Sequence, residues 1–259
     1  MRLSRSLLAV PAFAAVLLAA PGTAFADESV HVRLDALNNS GGSGTATLTA
    51  MDNGDLSVSI RSSGLVPGSP HAQHLHGATD GRDFHCPDMS ADADGNGFVS
   101  TEEGLPMYGD IFISLTTRGD TGKASGLAVD RMPAADARGN LSYDRTIAAA
   151  DLPNGTLAHL KDLHVVQHGI DANKNGEYDL AGLGESTLAA SAGLTGIPQE
   201  ATDPATCGMV SGAAVGSVPV GGVDTGDGST TRHDPATVAV AMTVLIGAAG
   251  VFAARRRQR

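Results

Sequence analysis

Four of the nine histidines in this chain lie in the short stretch from His71 to His85. His74 and His76 are two residues apart, so in a β-strand both imidazoles project from the same face. Neutral imidazoles side by side on a stiff strand are good ligands for copper or zinc. His85, in the segment that follows, is a candidate third ligand. The spacing predicts a metal site, although an H-x-H pair also occurs by chance.

A second histidine segment lies far along the chain, at residues 163–169. His164, Val166 and His168 alternate there and would share one face of a strand. A fourth ligand for the predicted site could come from this segment. The elements that must bring the two segments together are therefore strands.

An acidic loop between residues 92 and 103 has the spacing of a twelve-residue calcium loop. It has a glycine at position 6, which permits the sharp turn, and a glutamate at position 12, which can bind bidentately. The candidate ligands are Asp92, Asp94, Asn96, Phe98 (through its carbonyl), Ser100 and Glu103. No flanking helix is evident in the sequence, and the alternative is an acidic surface turn.

A second loop matches only the first half of this pattern. Its candidate calcium ligands are Asp171, Asn173, Asn175 and Asp179. Position 12 is Gly182, and Lys174 lies among the candidate ligands. The missing bidentate acid weakens the prediction of calcium here.

Alternating apolar and polar residues recur in short runs separated by turn residues. The runs are 30–37, 45–50, 56–61, 71–77, 111–115, 141–147, 163–168 and 207–213. A helical period is seen only near 187–192. Seven or eight short strands predict an all-β fold, an antiparallel Greek-key sandwich or barrel with long metal-binding loops.

The two ends of the chain carry targeting signals. Residues 1–26 have the charged, apolar and small-x-small regions of a secretory signal peptide. Residues 27–214 form one domain, and 215–235 a flexible linker. Residues 236–254 are uncharged and mostly apolar, long enough for a transmembrane helix, and the basic tail 255–259 would remain cytoplasmic. These features predict an extracellular domain anchored in the membrane, with a removable sorting tail as the alternative.

The exported part is strongly acidic. Removing the basic residues of the two ends leaves 11 Lys and Arg against 28 Asp and Glu, a net charge near −17. This balance argues against nucleic acid as a partner and makes bound cations plausible. The two cysteines, Cys86 and Cys207, both lie in the exported part, where a disulfide is the default. The alternative is a pair of thiolate metal ligands.

Four segments in this order resemble the copper/zinc superoxide dismutase-like superfamily, to which bacterial chordin-type (CHRD) domains look similar. They are His74-Leu75-His76-Gly77, Phe84-His85-Cys86-Pro87, Val165-Val166-Gln167-His168 and Thr206-Cys207-Gly208-Met209-Val210. The resemblance spans residues 30–213. It implies a copper site at His74, His76, His85 and His168, and a disulfide through Cys207.

The chain departs from this family at several positions. No histidine lies between His85 and His159, so the zinc ligands of the family are missing and zinc is not expected. Pro204 stands where the family has the arginine that guides superoxide. Cys86 directly follows His85, whereas the family's loop cysteine precedes its histidine.

Two functions follow as hypotheses. The first is an extracellular, membrane-anchored copper protein, which as an enzyme would be a copper-only superoxide dismutase with superoxide as substrate. The second is a non-catalytic, CHRD-like surface module stabilised by calcium. The sequence contains no nucleophile elbow and no phosphate-binding loop, so hydrolysis is a distant third.

Overall fold

The computed structural model describes residues 27–210. The predicted signal peptide, most of the linker, the predicted transmembrane helix and the basic tail lie outside the described residues. Within 27–210, none of the helices is both long and apolar enough to cross a membrane.

The described chain is built mainly from antiparallel strands that form one curled sheet. Along this sheet the strand order is β5-β4-β7-β8-β1-β2-β3-β6. The strands are β1 (Glu28–Ala36), β2 (Ser43–Ala50), β3 (Leu56–Ser63), β4 (Gln73–Gly77), β5 (Ile111–Ser114), β6 (Leu141–Ile147), β7 (Leu163–His168) and β8 (Pro204–Met209).

Short helices occupy the connections between strands. The α-helices are α1 (Thr101–Tyr108), α2 (Leu180–Leu183), α3 (Thr187–Ser191) and α4 (Gln199–Thr202). Single turns of 3-10 helix lie at Met89–Ala91, Lys123–Ser125, Val129–Arg131 and Ala149–Asp151, with a longer one at Leu157–Asp162.

The strand β1 joins the two halves of the sheet. Residues Glu28–Leu34 pair with β2, whereas Asp35 and Ala36 pair with β8. Alternate residues from both halves point into a single apolar core, which includes Leu48 and Ile60 from one half and Leu75 and Val165 from the other. Burial of these side chains is the main favourable contribution to the folding of this sheet.

The all-β antiparallel prediction is confirmed, and each predicted strand is present within the described residues; residues 211–213 of the predicted last strand lie outside them. The last strand begins at Pro204, three residues before the predicted start at Cys207. One helix, α1, was not expected next to the acidic loop. Its sequence signal is a capping box: Ser100 accepts a hydrogen bond from the backbone of Glu103, and the Glu103 carboxylate accepts one from the backbone of Ser100.

Candidate metal centre

Strands β4 and β7 position the histidines by simple alternation. On β4, Leu75 points into the core and His74 and His76 point to the opposite face. On β7, Val165 points into the core, so His164 and His168 lie on the same outer face. The register pairs His74 with Val166 and His76 with His164. Directly opposite residues of an antiparallel pair share a face, so the histidines of both strands lie on the same side of the sheet.

Three histidines converge on this outer face. One ring nitrogen from each of His74, His76 and His168 lies within 4.8 Å of the other two. The ring centroid of His74 is 5.4 Å from that of His76 and 5.1 Å from that of His168. All three side chains are buried, with at most 3% of their surface exposed. The chain therefore gathers three imidazoles from two strands that are almost a hundred residues apart in sequence.

Each of the three rings is held through one nitrogen by a backbone carbonyl. His74 Nε2 donates to Gly126 (3.0 Å), His76 Nδ1 to Gly109 (2.9 Å) and His168 Nδ1 to Thr202 (2.7 Å). A carbonyl oxygen only accepts, so the proton must be on these nitrogens. The three contacts fix both the tautomer and the orientation of each ring.

The other nitrogen of each ring has no hydrogen-bond partner among residues 27–210. These nitrogens are His74 Nδ1, His76 Nε2 and His168 Nε2, and all three are buried. An unsatisfied buried polar atom costs about 1–3 kcal/mol, so three together in one place need an explanation. A metal ion bound by three lone pairs would satisfy all of them, and imidazole is a good ligand for copper or zinc.

The electrostatic environment keeps these rings neutral. Burial, reinforced by the neighbouring His168, lowers the pKa of His76 to about 3. Burial lowers the pKa of His168 to about 4. Burial and the two neighbouring imidazoles hold the pKa of His74 well below its usual range. The rings therefore present lone pairs at neutral pH and need not lose a proton to bind a cation.

Tyr108 and Gly109 pack beside His76 and help to hold its ring in place. The Tyr108 ring packs edge-on against His76 at 4.6 Å, and its hydroxyl donates to the carbonyl of Thr101. Gly109, which supplies the carbonyl for His76, has φ +78°, and an added Cβ there would lie 3.0 Å from the Phe84 ring. The positive φ favours glycine at this position, and a larger residue would also crowd the Phe84 ring.

The predicted disulfide is confirmed. Cys86 and Cys207 are bonded, with their Cα atoms 5.7 Å apart. Cys207 lies opposite Val166 on the face that carries the histidines. The bond ties the segment before α1 to β8, and it rules out the alternative of two thiolate metal ligands.

The structure does not bring His85 into the cluster. Its side chain is exposed, and its backbone donates to the carbonyl of Met107. His164 is buried on the same face as His76, but it is outside the group of three and neither of its ring nitrogens has a hydrogen-bond partner among the described residues. Of the four predicted copper ligands, His74, His76 and His168 come together.

The first acidic loop is folded around its own carboxylates. One carboxylate oxygen from each of Asp92, Asp94 and Glu103 lies within 4.8 Å of the others. Glu103 accepts hydrogen bonds from the backbone of Ala93 (2.9 Å), the second position of the loop. Asn96 and Ser100 make local hydrogen bonds in the same turn, and Phe98 donates its backbone N–H to Asn96.

In the second acidic loop, Glu200 makes a backbone contact like that of Glu103, but among the described residues Asp171, Asp179 and Glu200 do not form a close ligand group as Asp92, Asp94 and Glu103 do. The Glu200 carboxylate is fully buried and accepts from the backbone of Ala172 (2.8 Å), which is again the second position of a loop. Asn173 and Asn175 donate to Asp179, and Asp171 accepts from the backbone of Gly176. The sequence pattern did not predict a role for Glu200, because this residue lies on α4, outside the loop.

Comparisons with known proteins give little guidance. No family model matches the sequence, and no curated protein matches it. Among solved structures, a double mutant of a SOD-like protein from Bacillus subtilis is similar, with 16% identity and a TM-score of 0.35 over 70% of this chain and 95% of that chain. Any functional conclusion therefore depends on the geometry of the histidines.

Proposed function

We propose that this protein binds one copper ion through His74, His76 and His168. The observation that carries the proposal is the convergence of three buried histidines, each of which has one unpartnered ring nitrogen while its opposite nitrogen donates to a carbonyl. Metal-binding histidines usually donate their second nitrogen to such a group. Most buried side-chain polar atoms in proteins have a hydrogen-bond partner.

Copper is favoured over other divalent metals by the general order of affinities, in which Cu²⁺ exceeds Zn²⁺ for nitrogen ligands. Three neutral imidazoles and no carboxylate also suit both oxidation states of copper. Bound copper would supply one-electron redox chemistry. The chain's own contribution is to hold three buried rings in fixed tautomers through the backbone carbonyls that accept from them.

Superoxide dismutation is the enzymatic form of this proposal, and the chain's residues give it limited support. Pro204 stands where the superoxide dismutase-like family that the sequence resembles has its guiding arginine. Lys123 is the charged residue that lines the cavity at the histidines, and it pairs with Asp110. The acidic exported part repels small anions. Copper binding without efficient dismutation is the form that these residues favour.

The alternative function is a non-catalytic, CHRD-like surface module stabilised by calcium. The grouped carboxylates of Asp92, Asp94 and Glu103 support calcium binding at the first acidic loop. At the second loop, Glu200 accepts from the second backbone N–H of its loop, as Glu103 does at the first. Within residues 27–210, no basic side chain forms an ion pair with the buried Glu200. A bound cation would offset the cost of burying that charge.

The disulfide supports an oxidising compartment, as expected for an exported protein. Export by the signal peptide and anchoring by residues 236–254 remain predictions, because both segments lie outside the described residues.

Copper titration of the purified, metal-free protein tests the main proposal. Stoichiometric binding of one Cu²⁺ with nitrogen hyperfine structure in the EPR spectrum is the expected result, and zinc in equal amount should not displace it. Only weak and heterogeneous binding would contradict the proposal and leave the calcium-stabilised module. A superoxide assay on the loaded protein then separates a binding protein from an enzyme.

A further inference from the structure

The three histidines form one end of a cavity of about 480 Å³. The remaining walls are mainly aliphatic, with Ile111 on β5, Leu127 in the following loop, Leu188 on α3 and Leu194 after it. The rings of the three histidines therefore lie beside a partly open space whose walls are mainly apolar.

A second cavity of about 260 Å³ lies beside the first. The two share Ala72, Leu127, Leu194 and Thr202 in their walls. The second cavity is lined further by Met132 and Ile197 and by none of the three histidines. We call the two neighbouring cavities together the apolar chamber. The chamber is of the size that holds small organic ligands, typically about 300–1,000 Å³.

The charges at the chamber do not favour an anion. Lys123 is the charged residue in the wall of the larger cavity, and its ammonium group is already paired with Asp110. The exported part carries a net charge near −17. A carboxylate or another small anion would lose its hydration without gaining a free cationic partner.

We propose that this apolar chamber binds a small uncharged organic molecule, with one nitrogen donor directed at the histidines and an apolar body between Leu127, Leu188 and Leu194. The donor end rests on the proposed metal centre, because a metal held by the three histidines would be its partner. The apolar end depends only on the walls of the chamber. The ligand differs from superoxide in having a body that the aliphatic side chains recognise.

Three probes that share a donor separate the two ends of the ligand. They are imidazole, 4-phenylimidazole and 4-(imidazol-4-yl)benzoate, titrated calorimetrically into the copper-loaded and the metal-free full-length protein at about pH 8, where the imidazoles are neutral. We expect 4-phenylimidazole to bind the loaded protein about tenfold more tightly than imidazole, because the phenyl ring is buried on binding. The benzoate should bind no more tightly than imidazole.

Two leucines of equal exposure provide a matched pair of variants. Leu194 and Leu105 are each 40% exposed, but only Leu194 lines the chamber. Leu194→Glu should remove the preference for 4-phenylimidazole over imidazole, while Leu105→Glu should keep it. Neither residue belongs to the proposed metal centre, so copper stoichiometry should be the same in both variants.

The outcomes distinguish this inference from the metal centre itself. Equal affinities for imidazole and 4-phenylimidazole, tightest binding of the benzoate, or equal effects of the two leucine variants would overturn the chamber inference even if copper binds. If copper does not bind but the metal-free protein still prefers the phenyl probe, the metal proposal fails and the chamber inference is supported. If neither copper nor the phenyl probe binds, both are wrong.

Discussion

His76 and His164 face each other directly across β4 and β7, yet only His76 belongs to the three-histidine cluster. Both rings are buried on the same outer face of the sheet. His76 donates from one nitrogen to Gly109, and its ring centroid lies 5.4 Å from that of His74 and 5.9 Å from that of His168, whereas neither ring nitrogen of His164 has a hydrogen-bond partner among the described residues. The pair therefore compares a proposed ligand with a buried histidine that lies outside the cluster.

We predict that His76→Ala lowers copper affinity by more than about 100-fold, since even groups that only orient a ligand contribute 10–100-fold. His164→Ala should keep one tight copper site. Copper titration with an EPR readout measures both, and circular dichroism checks that each variant is folded. Equal loss of copper affinity in the two variants would contradict a specific site at His74, His76 and His168.

The metal-free protein should lose stability as the pH falls below neutral. The pKa values of His76 and His168 are lowered by burial to about 3 and about 4, from 6.5. A group with a depressed folded pKa stabilises the fold above the unfolded value, and this contribution is lost as the pH falls from 6.5 towards the folded values. Within that window, each such histidine lowers the free energy of unfolding by about 1.4 kcal/mol for each unit by which the pH falls. Urea denaturation of the metal-free protein between pH 7 and pH 5 measures the slope, and no slope would contradict the buried neutral rings.

Asp203 should act in the opposite direction. Burial raises its pKa to about 7 from 3.8, and Gln199 donates to its carboxylate at 2.5 Å. Its stabilising contribution is present below pH 3.8 and is lost as the pH rises towards 7. We therefore expect Asp203→Asn to gain stability relative to the original protein between pH 5 and pH 8, in the same denaturation series. A constant difference across that range would show that Asp203 does not titrate there.

Removing the disulfide should lower the free energy of unfolding by about 4 kcal/mol, because the bond closes a loop of more than 100 residues in the unfolded chain. The cysteines are 121 positions apart. The test is urea denaturation of the Cys86→Ser/Cys207→Ser variant. The reduced original protein serves as the control and should match it; a stability equal to that of the oxidised protein would mean that the bond adds nothing.

Calcium should raise the thermal unfolding temperature through the first acidic loop. Glu103→Gln keeps a side chain that can accept from Ser100, but it removes the charge that a bidentate calcium ligand needs. Glu102→Gln, one residue earlier on the same helix, is the matched control and should still respond to calcium. Calorimetric scans with calcium and with a chelator measure the shift. An equal response in both variants would place calcium elsewhere or nowhere in this loop.

Much of the fold could be predicted because the information is local. Alternation in β1, β3 and β6 reflects one buried and one exposed face, and this pattern is written directly in the sequence. The helix α1 was missed because Gly104 and Pro106 obscure its period, although Ser100 and Glu103 carry a capping signal. The strand β8 begins earlier than predicted, at Pro204, because Pro204 pairs with His168 at the end of β7. This pairing is not visible in the local sequence.

The sequence by itself determined that His74 and His76 share a face, since alternation in a strand requires it, and it determined which later strand could supply His168. Only the tertiary structure decided that His168 joins them and that His85 does not. It also decided which nitrogen of each ring is free, because Gly109, Gly126 and Thr202 lie 33 to 52 residues from the rings they hold. Those carbonyls and the apolar chamber are brought in by loops whose paths depend on packing across the whole sheet, and no local pattern encodes them.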